Sequence, residues 1–423
     1  MPEFIPLAFA HFDFSRADLA ADKTASPPYD VLSSAQRDAL AAKSGHNMTH
    51  IDLPPTYEDA AATLANWVRE KAVVHDGAAA YYLLATSYDL DERRLTRYTV
   101  FGGLRLAPWG EAGVYPHEKT YPKAKTDRLN LMRATKAQLS PILGVFDRPG
   151  LDLAALGARA MSEPPLAQFT EDAASAEAGA LVHRLWKLPR EAEKILGDAL
   201  AGLDVYIADG HHRYETALAY RGERGPGTPD SPKPWDFVFA GLCNIASEGV
   251  VILPYHRQLT FAQTFDFPEA LRRAETLFEV KAGATRADLG ATQNEAACLL
   301  RAASGDWLLT PRASALKLSP AEQPFARIGA YVFDHLFCES VLGLTAADLA
   351  AGNHLKHTPF ARQAAQAVKS GQAQAAAILK PVHIDVLREV SHAGLTMPRK
   401  STYFYPDSAT CQFFINTVDN ASL

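Results

Sequence analysis

The residue types best suited to chemistry in this chain follow one another in one short run, in the order Asp209, Gly210, His211, His212 and Arg213. The apolar run 205–208 before them predicts a short buried strand, and the alanine, leucine and tyrosine spacing after them predicts a helix. The run therefore lies where a strand turns into a helix. Such a junction presents unpaired backbone N–H groups and the positive end of the helix dipole, which attract an anion. The sequence predicts a phosphate-binding site here, because phosphate is the commonest biological anion.

Each residue type in this run has a role in that prediction. Gly210 lets the backbone approach a ligand closely, and Arg213 can hold two phosphate oxygens with its planar fork. His211 and His212 can donate hydrogen bonds or move a proton near neutral pH. Two alternatives remain open. The histidines could hold a metal ion with Asp209, although adjacent helical residues do not face the same way. The run could also serve only to cap the helix.

A second group of functional residue types lies between His117 and Lys136. Its positive charges stand at Lys119, Lys123, Lys125, Arg128, Arg133 and Lys136. This local excess of positive charge suits a polyphosphate, and the candidate ligands are His117, Lys119, Lys123 and Arg128. Glu118 is a candidate general base, and Asp127 could join Asp209 in holding Mg²⁺ or could orient an arginine. The alternative is a charged, solvated start of a helix.

Two later segments carry the same residue types. In Pro254–Arg257 a His-Arg pair follows an apolar run, where it could face a phosphate or simply end a strand. In Met397–Pro406 the side chains of Arg399 and Lys400 could reach an anion, and the alternative is an ordinary loop that enters a strand.

The composition narrows the class of protein. The 423 residues carry a formal net charge of −6, which argues against the nucleic-acid backbone as the main partner. None of the four cysteines stands in a metal-binding spacing, which is typical of a reduced cytosolic protein. No stretch approaches the length of a membrane span, and the first residues lack the pattern of a signal peptide. We therefore expect a cytoplasmic protein without a membrane partner.

The elements that position these residues form a mixed α/β pattern. The stretch 80–106 predicts a β-hairpin with a polar turn at Asp91–Arg93, and Tyr57 begins a helix that extends to about residue 72. Strands are expected at 142–146 and 237–244, and the alanine-rich stretch 153–200 is expected to be helical in two or three pieces. We divide the chain into an N-terminal α/β region, 1–258, which carries the phosphate-binding motif, and a C-terminal α/β region, 259–423.

The motifs, taken together, resemble an uncharacterised family known as domain of unknown function 1015, whose name gives no activity. The resemblance is carried along nearly the whole chain by Pro27–Val31, His117–Thr120 with Asp127–Leu129, Ser140–Ile142, Ala208–Leu218, Pro254–Arg257 and Met397–Pro406.

The segment Asp209–Arg213 is also similar to the phosphate-binding motif of the ParB/sulfiredoxin-like superfamily. That superfamily includes sulfiredoxin, a CTP-binding chromosome-partition protein and free serine kinases. The resemblance implies a ParB/sulfiredoxin-like nucleotide-binding core with large helical and mixed-sheet additions, and ATP or ADP with Mg²⁺ as cofactors. In the serine kinases this motif holds nucleotide phosphates, while a glutamate elsewhere activates the serine hydroxyl. The assignment of that role to Glu118 is our own inference.

The resulting hypothesis is a nucleotide-dependent phosphotransferase, similar to a free L-serine kinase, that phosphorylates a hydroxyl group of a small metabolite. Its catalytic residues would be Glu118, His211 and His212. One alternative is a binding protein triggered by a nucleotide, like the CTP switch of partition proteins. A second alternative is a metal-dependent phosphohydrolase. The oligomeric state, a homodimer among the choices, is left open.

Overall fold

The computed structural model describes residues 2–30, 32–118, 120, 122–172, 178–261, 266–406 and 414–418. Its α-helices, in chain order, are Ala21–Thr24 (α1), Ser34–Lys43 (α2), Thr49–Asp52 (α3), Tyr57–Arg69 (α4), Pro122–Thr135 (α5), Leu153–Met161 (α6), Glu191–Leu200 (α7), His211–Arg224 (α8), Phe267–Ala274 (α9), Arg286–Ala291 (α10), Gly329–Val332 (α11), Ala346–Ala351 (α12), Ala361–Lys369 (α13) and Ile384–His392 (α14). Shorter 3₁₀ helices cover Ala17–Leu19, Pro234–Asp236 and Pro320–Arg327, and a π-helical stretch covers Phe333–Val341.

The strands are Phe4–Ile5 (β1), Ala10–Phe12 (β2), Val73–His75 (β3), Tyr82–Leu90 (β4), Arg93–Arg105 (β5), Val114–Tyr115 (β6), Ala137–Gln138 (β7), Ile142–Phe146 (β8), Ala167–Glu171 (β9), Leu181–Lys187 (β10), Val205–Asp209 (β11), Phe237–Asn244 (β12), Val251–Pro254 (β13), His256–Leu259 (β14), Phe278–Ala282 (β15), Cys298–Ala302 (β16), Gly305–Pro311 (β17), Leu355–Thr358 (β18), Ala375–Leu379 (β19), Thr402–Tyr405 (β20) and Phe414–Thr417 (β21). The structure is thus a mixed α/β protein with several sheets, as the sequence predicts.

The chain divides into two compact units, the first formed by Met1–Ala174, Ala178–Val250 and Pro406–Leu423, the second by Val251–Tyr405. The expected boundary between residues 258 and 259 falls inside β14. This strand pairs with β18 and β19, which explains why it groups with the second unit. At the other end of the chain, β21 pairs with β2 and β7 and so groups with the first unit.

The first unit is built on a nine-stranded sheet in the order β6-β11-β8-β12-β5-β4-β10-β9, with β1 beside β5. The pairs β6–β11 and β8–β12 are parallel, and the other neighbours are antiparallel. Because β11 runs antiparallel to β8, with Asp209 opposite Leu143, the last residue of β11 lies beside the first residues of β8. This register places the predicted phosphate-binding run next to Pro141.

The predicted hairpin is confirmed by the pairing of β4 with β5, from Tyr82 opposite Phe101 to Leu90 opposite Arg93. Asp91 and Glu92 form the turn with φ of +47° and +64°. Positive φ at both central residues is the geometry that matches the right-handed twist of the two strands.

The expectation that 153–200 is helical in two or three pieces is confirmed only at the two ends of this stretch. Helices α6 and α7 form at its two ends, but β9 and β10 lie between them and pair with one another. In β10 most side chains alternate between buried and partly exposed, beginning with Leu181 buried and Val182 partly exposed. This period of two is typical of a strand, and the alanine content of the flanking helices obscured it.

Helix α8, which follows the predicted phosphate-binding run, is fixed at both ends by glycine. Gly210 precedes it in the left-handed conformation, and Gly225 ends it with a φ of +78°. One face of the helix packs, through Tyr214 and Ala217, into a hydrophobic cluster that includes Ile207 of β11. A side chain buried to this extent contributes about 1.5 to 3 kcal/mol, so packing against the sheet holds the start of α8 in place.

The second unit contains a six-stranded sheet in the order β15-β17-β16-β19-β14-β18 and a two-stranded sheet, β13-β20. Its main hydrophobic cluster packs the π-helical stretch, through Phe333 and Phe337, with sheet residues such as Leu300 and Leu379. In the part of the chain that the structure describes, no helix is both long and apolar enough to cross a membrane.

Candidate functional site

The strand-to-helix junction at Gly210 has the backbone geometry that a close-approach site needs. Gly210 adopts a φ of +88° and a ψ of 27°, and a Cβ atom there would lie 2.9 Å from the Cγ2 atom of Ile142. No described side chain caps this end of α8. The first backbone N–H groups of a helix have no partner within the helix, so those of α8 are directed toward the junction.

Arg213 lies one turn into α8 and is held from two sides. Its guanidinium donates to the backbone carbonyl of Pro141 and to the carboxylate of Asp209, with which it forms an i, i+4 ion pair. The Arg213 side chain is 12% exposed and that of Asp209 is 37% exposed. Because the Asp209 carboxylate keeps contact with water, it can be solvated when a stronger anion takes its place at the guanidinium.

His211 is buried and serves as an acceptor. Its Nε2 atom accepts a hydrogen bond of 3.2 Å from the backbone N–H of His117, and the two rings meet edge to face at 4.6 Å. Burial lowers the pKa of His211 well below its ordinary value, and the neighbouring His117, His212 and Arg213 add to this shift. His211 is therefore neutral at physiological pH and holds the 114–118 segment against α8.

His117 is fixed by the same part of β11. It is 2% exposed, and its Nδ1 atom donates to the backbone carbonyl of Ile207 at 2.5 Å. This bond leaves Nε2 directed toward Glu118, whose Oε1 atom lies 3.9 Å away. Glu118 remains partly exposed, so the candidate base follows directly after a rigidly held histidine.

Glu215, which the sequence analysis did not single out, binds the segment that follows Glu118. Its two carboxylate oxygens accept hydrogen bonds from Thr120 Oγ1 at 2.7 Å and Trp109 Nε1 at 2.9 Å, and Lys125 Nζ lies 2.7 Å away. Burial alone would raise the pKa of Glu215, but the bonds from Lys125, Trp109 and Thr120 outweigh it and hold the pKa below its usual range. The signal in the sequence was the i, i+4 spacing from His211.

Arg128 and Asp127 are engaged with each other. The Arg128 guanidinium donates to Asp127 at 2.8 Å and to both the carbonyl and the carboxylate of Asp52 at 2.9 Å, and it lies 4.0 Å from the centre of the Tyr29 ring. Asp127 also accepts from the hydroxyl of Tyr57 at 3.0 Å. Of the two roles considered for Asp127, this geometry fits the one in which it orients an arginine.

The remaining predicted residues fall elsewhere. Lys119 and the side chain of Lys123 lie outside the described part of the chain. Arg399 and Lys400 belong to the second unit, where Lys400 Nζ lies 4.7 Å from the centre of the Tyr255 ring. Asp209 and Asp127 are the predicted metal ligands, and among the described residues no group of three His, Cys, Asp or Glu side chains is arranged to hold a metal ion.

Asp30 is a further carboxylate near Arg213 that the sequence analysis did not assign to the site. Desolvation raises the pKa of Asp30; Arg213 opposes that shift, and the carboxylates of Asp209 and Asp52 add to it. Asp30 keeps an exposed surface all the same. It thus combines access to solvent with an environment that disfavours its charge, which is a property of general bases.

The fold and the site define a mixed α/β protein in which the run Asp209–Arg213 meets His117 at the start of one helix. The chain belongs to the family described as protein of unknown function DUF1015, which it matches over residues 7–329. The predicted segment Met397–Pro406 lies beyond that match. No curated protein matches the chain.

The chain is also similar, at low identity, to several solved structures. A free serine kinase in complex with AMP is 15% identical, covers 75% of this chain and 88% of its own, and has a TM-score of 0.34. A conserved hypothetical protein from Pyrococcus furiosus is 15% identical, and the match covers 72% of this chain and 90% of that protein, with a TM-score of 0.32. SbnI with a C-terminal truncation, from Staphylococcus aureus, is 13% identical, and the match covers 73% of this chain and 85% of that protein, with a TM-score of 0.35. Scores of this size assign no function, which is therefore argued from the site itself.

Proposed function

We propose that this protein is a nucleotide-dependent phosphotransferase that phosphorylates the hydroxyl group of a small metabolite, in the manner of a free L-serine kinase. The observation that carries the proposal is the left-handed Gly210 before α8. It directs the first backbone N–H groups of α8, which have no partner within the helix, at the same junction where Arg213 is held by a carboxylate that an anion can replace. Backbone donors, a helix dipole and an arginine together form a site for the phosphates of ATP or ADP.

The roles of the surrounding residues follow from their burial. His212 is only partly buried and adjoins the junction, so it can donate to a phosphate oxygen. His211 and His117, which are buried and bonded to each other, act as positioning residues. Asp209 would hold Mg²⁺ together with phosphate oxygens, since Mg²⁺ commonly takes one or two carboxylates and completes its shell with substrate. Asp127, the other predicted ligand, is instead engaged with Arg128 and Tyr57. When bound, the ion neutralises charge on the transferred phosphoryl group.

The transfer itself requires a base and an acceptor. The oxygen of the acceptor hydroxyl forms a bond to the terminal phosphorus of the nucleotide, the bond from that phosphorus to the leaving phosphate oxygen breaks, and the hydroxyl proton passes to a carboxylate. Glu118 is our candidate for that carboxylate because the His117 and Glu215 contacts fix the segment on either side of it. Asp30 is the second carboxylate to be tested, since its raised pKa suits a proton acceptor.

The test is to incubate the protein with ATP or ADP, Mg²⁺ and a panel of hydroxy amino acids and short alcohols, and to follow products by phosphorus NMR. We expect a phosphorylated acceptor, and we expect Glu118→Gln to lower the rate by about 100-fold or more while the affinity for ADP is retained. Asp30→Asn tests the second candidate carboxylate in the same assay. The proposal fails if no acceptor is phosphorylated and ADP does not bind. If Asp30→Asn abolishes transfer while Glu118→Gln does not, the assignment of Glu118 is overturned and the base is Asp30.

A further inference from the structure

A cavity of about 50 Å³ adjoins Arg213 on the inner side of α8, within the first unit. Its wall is apolar where Leu131, Met132 and Val238 contribute, and polar where Ser140 and Thr216 contribute. A buried water molecule needs roughly 10 to 15 Å³ of such space, so the cavity holds about three waters or a group of similar size. Neither a sugar ring nor a nucleobase fits.

Thr216 is the residue that points to an occupant. It is 4% exposed, and its Oγ1 atom is fully buried with no hydrogen-bond partner among the described residues. A threonine inside a helix can bond to the carbonyl four residues earlier, but the Thr216 hydroxyl does not make that bond. Because an unpaired buried hydroxyl is costly, a guest that hydrogen-bonds to it explains why threonine stands here instead of valine.

The charged groups around the cavity indicate a neutral guest. The Arg128 guanidinium is paired with Asp52, and the Arg213 guanidinium is paired with Asp209 and with the Pro141 carbonyl. A charged guest in the cavity would have to break the buried Arg128–Asp52 pair or compete with the phosphates for Arg213. A hydroxyl group, which both donates and accepts, satisfies Thr216 without doing so.

The position of Thr216 connects this guest with the junction. Thr216 follows Arg213 by three residues on α8, so the two side chains share one face of the helix. A hydroxyl bound to Thr216 therefore lies within one helical turn of the arginine that we assign to the phosphates.

We propose that this cavity receives the hydroxymethyl end of the acceptor, with Thr216 as its hydrogen-bond partner, and that water fills it when the acceptor is absent. This inference rests on the proposed phosphotransferase function and narrows its acceptor. Acceptors would be short primary alcohols, and molecules whose hydroxyl groups are all carried on a ring would be excluded by size.

The first measurement needs no ligand and compares wild type with Thr216→Val, which has the same shape but no hydroxyl. If water or another guest bonds to the hydroxyl, the valine variant leaves that guest unpaired and the Tm falls by about 2 to 4 °C. A rise in Tm would mean that the cavity is dry, and it would overturn the inference.

The second measurement is calorimetric titration with L-serine, glycerol and myo-inositol, each with and without saturating ADP. We expect L-serine or glycerol to bind, myo-inositol not to bind, and Thr216→Val to weaken binding about tenfold. Thr216→Ser, which keeps the hydroxyl, should restore the affinity. The cavity-filling variant Val238→Ile should weaken binding without removing any polar group.

These outcomes separate the two proposals. Equal binding of L-serine or glycerol by wild type and Thr216→Val, or binding of myo-inositol, overturns the assignment of the cavity even where phosphoryl transfer is observed. Threonine-dependent binding of L-serine without any binding of ADP would support the cavity assignment and refute the phosphotransferase.

Discussion

Arg213 in the first unit and Arg257 in the second unit each lie within two residues of a buried histidine, and each guanidinium pairs with a carboxylate. Arg257 is 0% exposed and donates twice to Asp334, at 3.1 and 2.8 Å, and to the backbone carbonyls of Tyr255 and Lys400, both at 2.7 Å. Arg213 is 12% exposed and has a partner, Asp209, that is 37% exposed.

The two arginines share a pattern of a nearby buried histidine and a paired carboxylate, but their surroundings differ. The partners of Arg257 come from the π-helical stretch and from the segments around β13 and β20, so its four hydrogen bonds connect parts of the second unit. Arg213 donates to one carboxylate, Asp209, and to one carbonyl, and it has Asp30, a helix N-terminus and a cavity nearby. We infer that Arg257 is structural and that Arg213 is kept for a ligand.

Replacement of each arginine by methionine should change the free energy of unfolding by different amounts. Arg257→Met leaves the carboxylate of Asp334 without its buried partner, which costs about 3 to 5 kcal/mol. The matched change Arg213→Met should cost less, about 1.5 to 3 kcal/mol, because the Asp209 carboxylate is 37% exposed and can be solvated. Chemical denaturation of both variants measures this difference, and titration with ADP should show that only Arg213→Met loses nucleotide affinity. Equal destabilisation by the two variants would contradict the comparison.

The next largest effect concerns the backbone that positions Arg213. Gly210→Ala forces a left-handed alanine and places its Cβ 3.1 Å from the Arg213 guanidinium carbon, so we expect a loss of about 1 to 3 kcal/mol together with weaker binding of ADP.

Gly352→Ala is the control for this change. Gly352 has a similar φ of +71° and ψ of 12°, but a Cβ there would meet only the Leu355 carbonyl oxygen, at 4.0 Å. It should lose stability to a similar extent and leave the binding of ADP unchanged. If both glycine variants bind ADP as wild type does, Gly210 has no role in the site.

Local patterns predicted the parts of the site that depend on local geometry. The strand-to-helix junction could be predicted because glycine, the apolar run 205–208 and the helical spacing all lie within a few residues. The burial of His211 and its bond to His117 could not, since these residues are 94 positions apart and meet only through the parallel pairing of β6 with β11. The ligands of Glu215 depend on the same distant pairing.

The structural role of Arg257 was beyond sequence reasoning for a similar reason. Its carboxylate partner, Asp334, lies 77 residues further along the chain, in a stretch without any motif. Strands β9 and β10 were missed because they stand between alanine-rich helices and pair with one another, a contact that neither segment signals alone.

The smallest expected effect uses pH to compare the two buried histidines. His211 Nε2 accepts from the backbone of His117, and His256 Nδ1 accepts from the backbone of Leu379 at 3.1 Å. Burial lowers the pKa of both, that of His256 to about 3, and His117, His212 and Arg213 face His211 while Arg286 and Arg257 face His256. Each histidine is therefore an acceptor that must remain neutral in the folded state.

The sign of the pH effect follows from linkage. An unfolded histidine gains a proton near pH 6.5, whereas the folded one does not, so stability is full above that pH and decreases as the pH falls toward the folded pKa. His211→Gln and His256→Asn keep an acceptor and remove the titration. In each variant the free energy of unfolding should depend less steeply on pH, by at most about 1.4 kcal/mol per pH unit. Urea denaturation between pH 7.5 and 4.5 measures this slope. Only His211→Gln should also weaken ADP binding, because only that histidine supports the 114–118 segment. An equal change of ADP binding in His256→Asn would show that the second unit also takes part in the site and would remove the distinction between the two arginines.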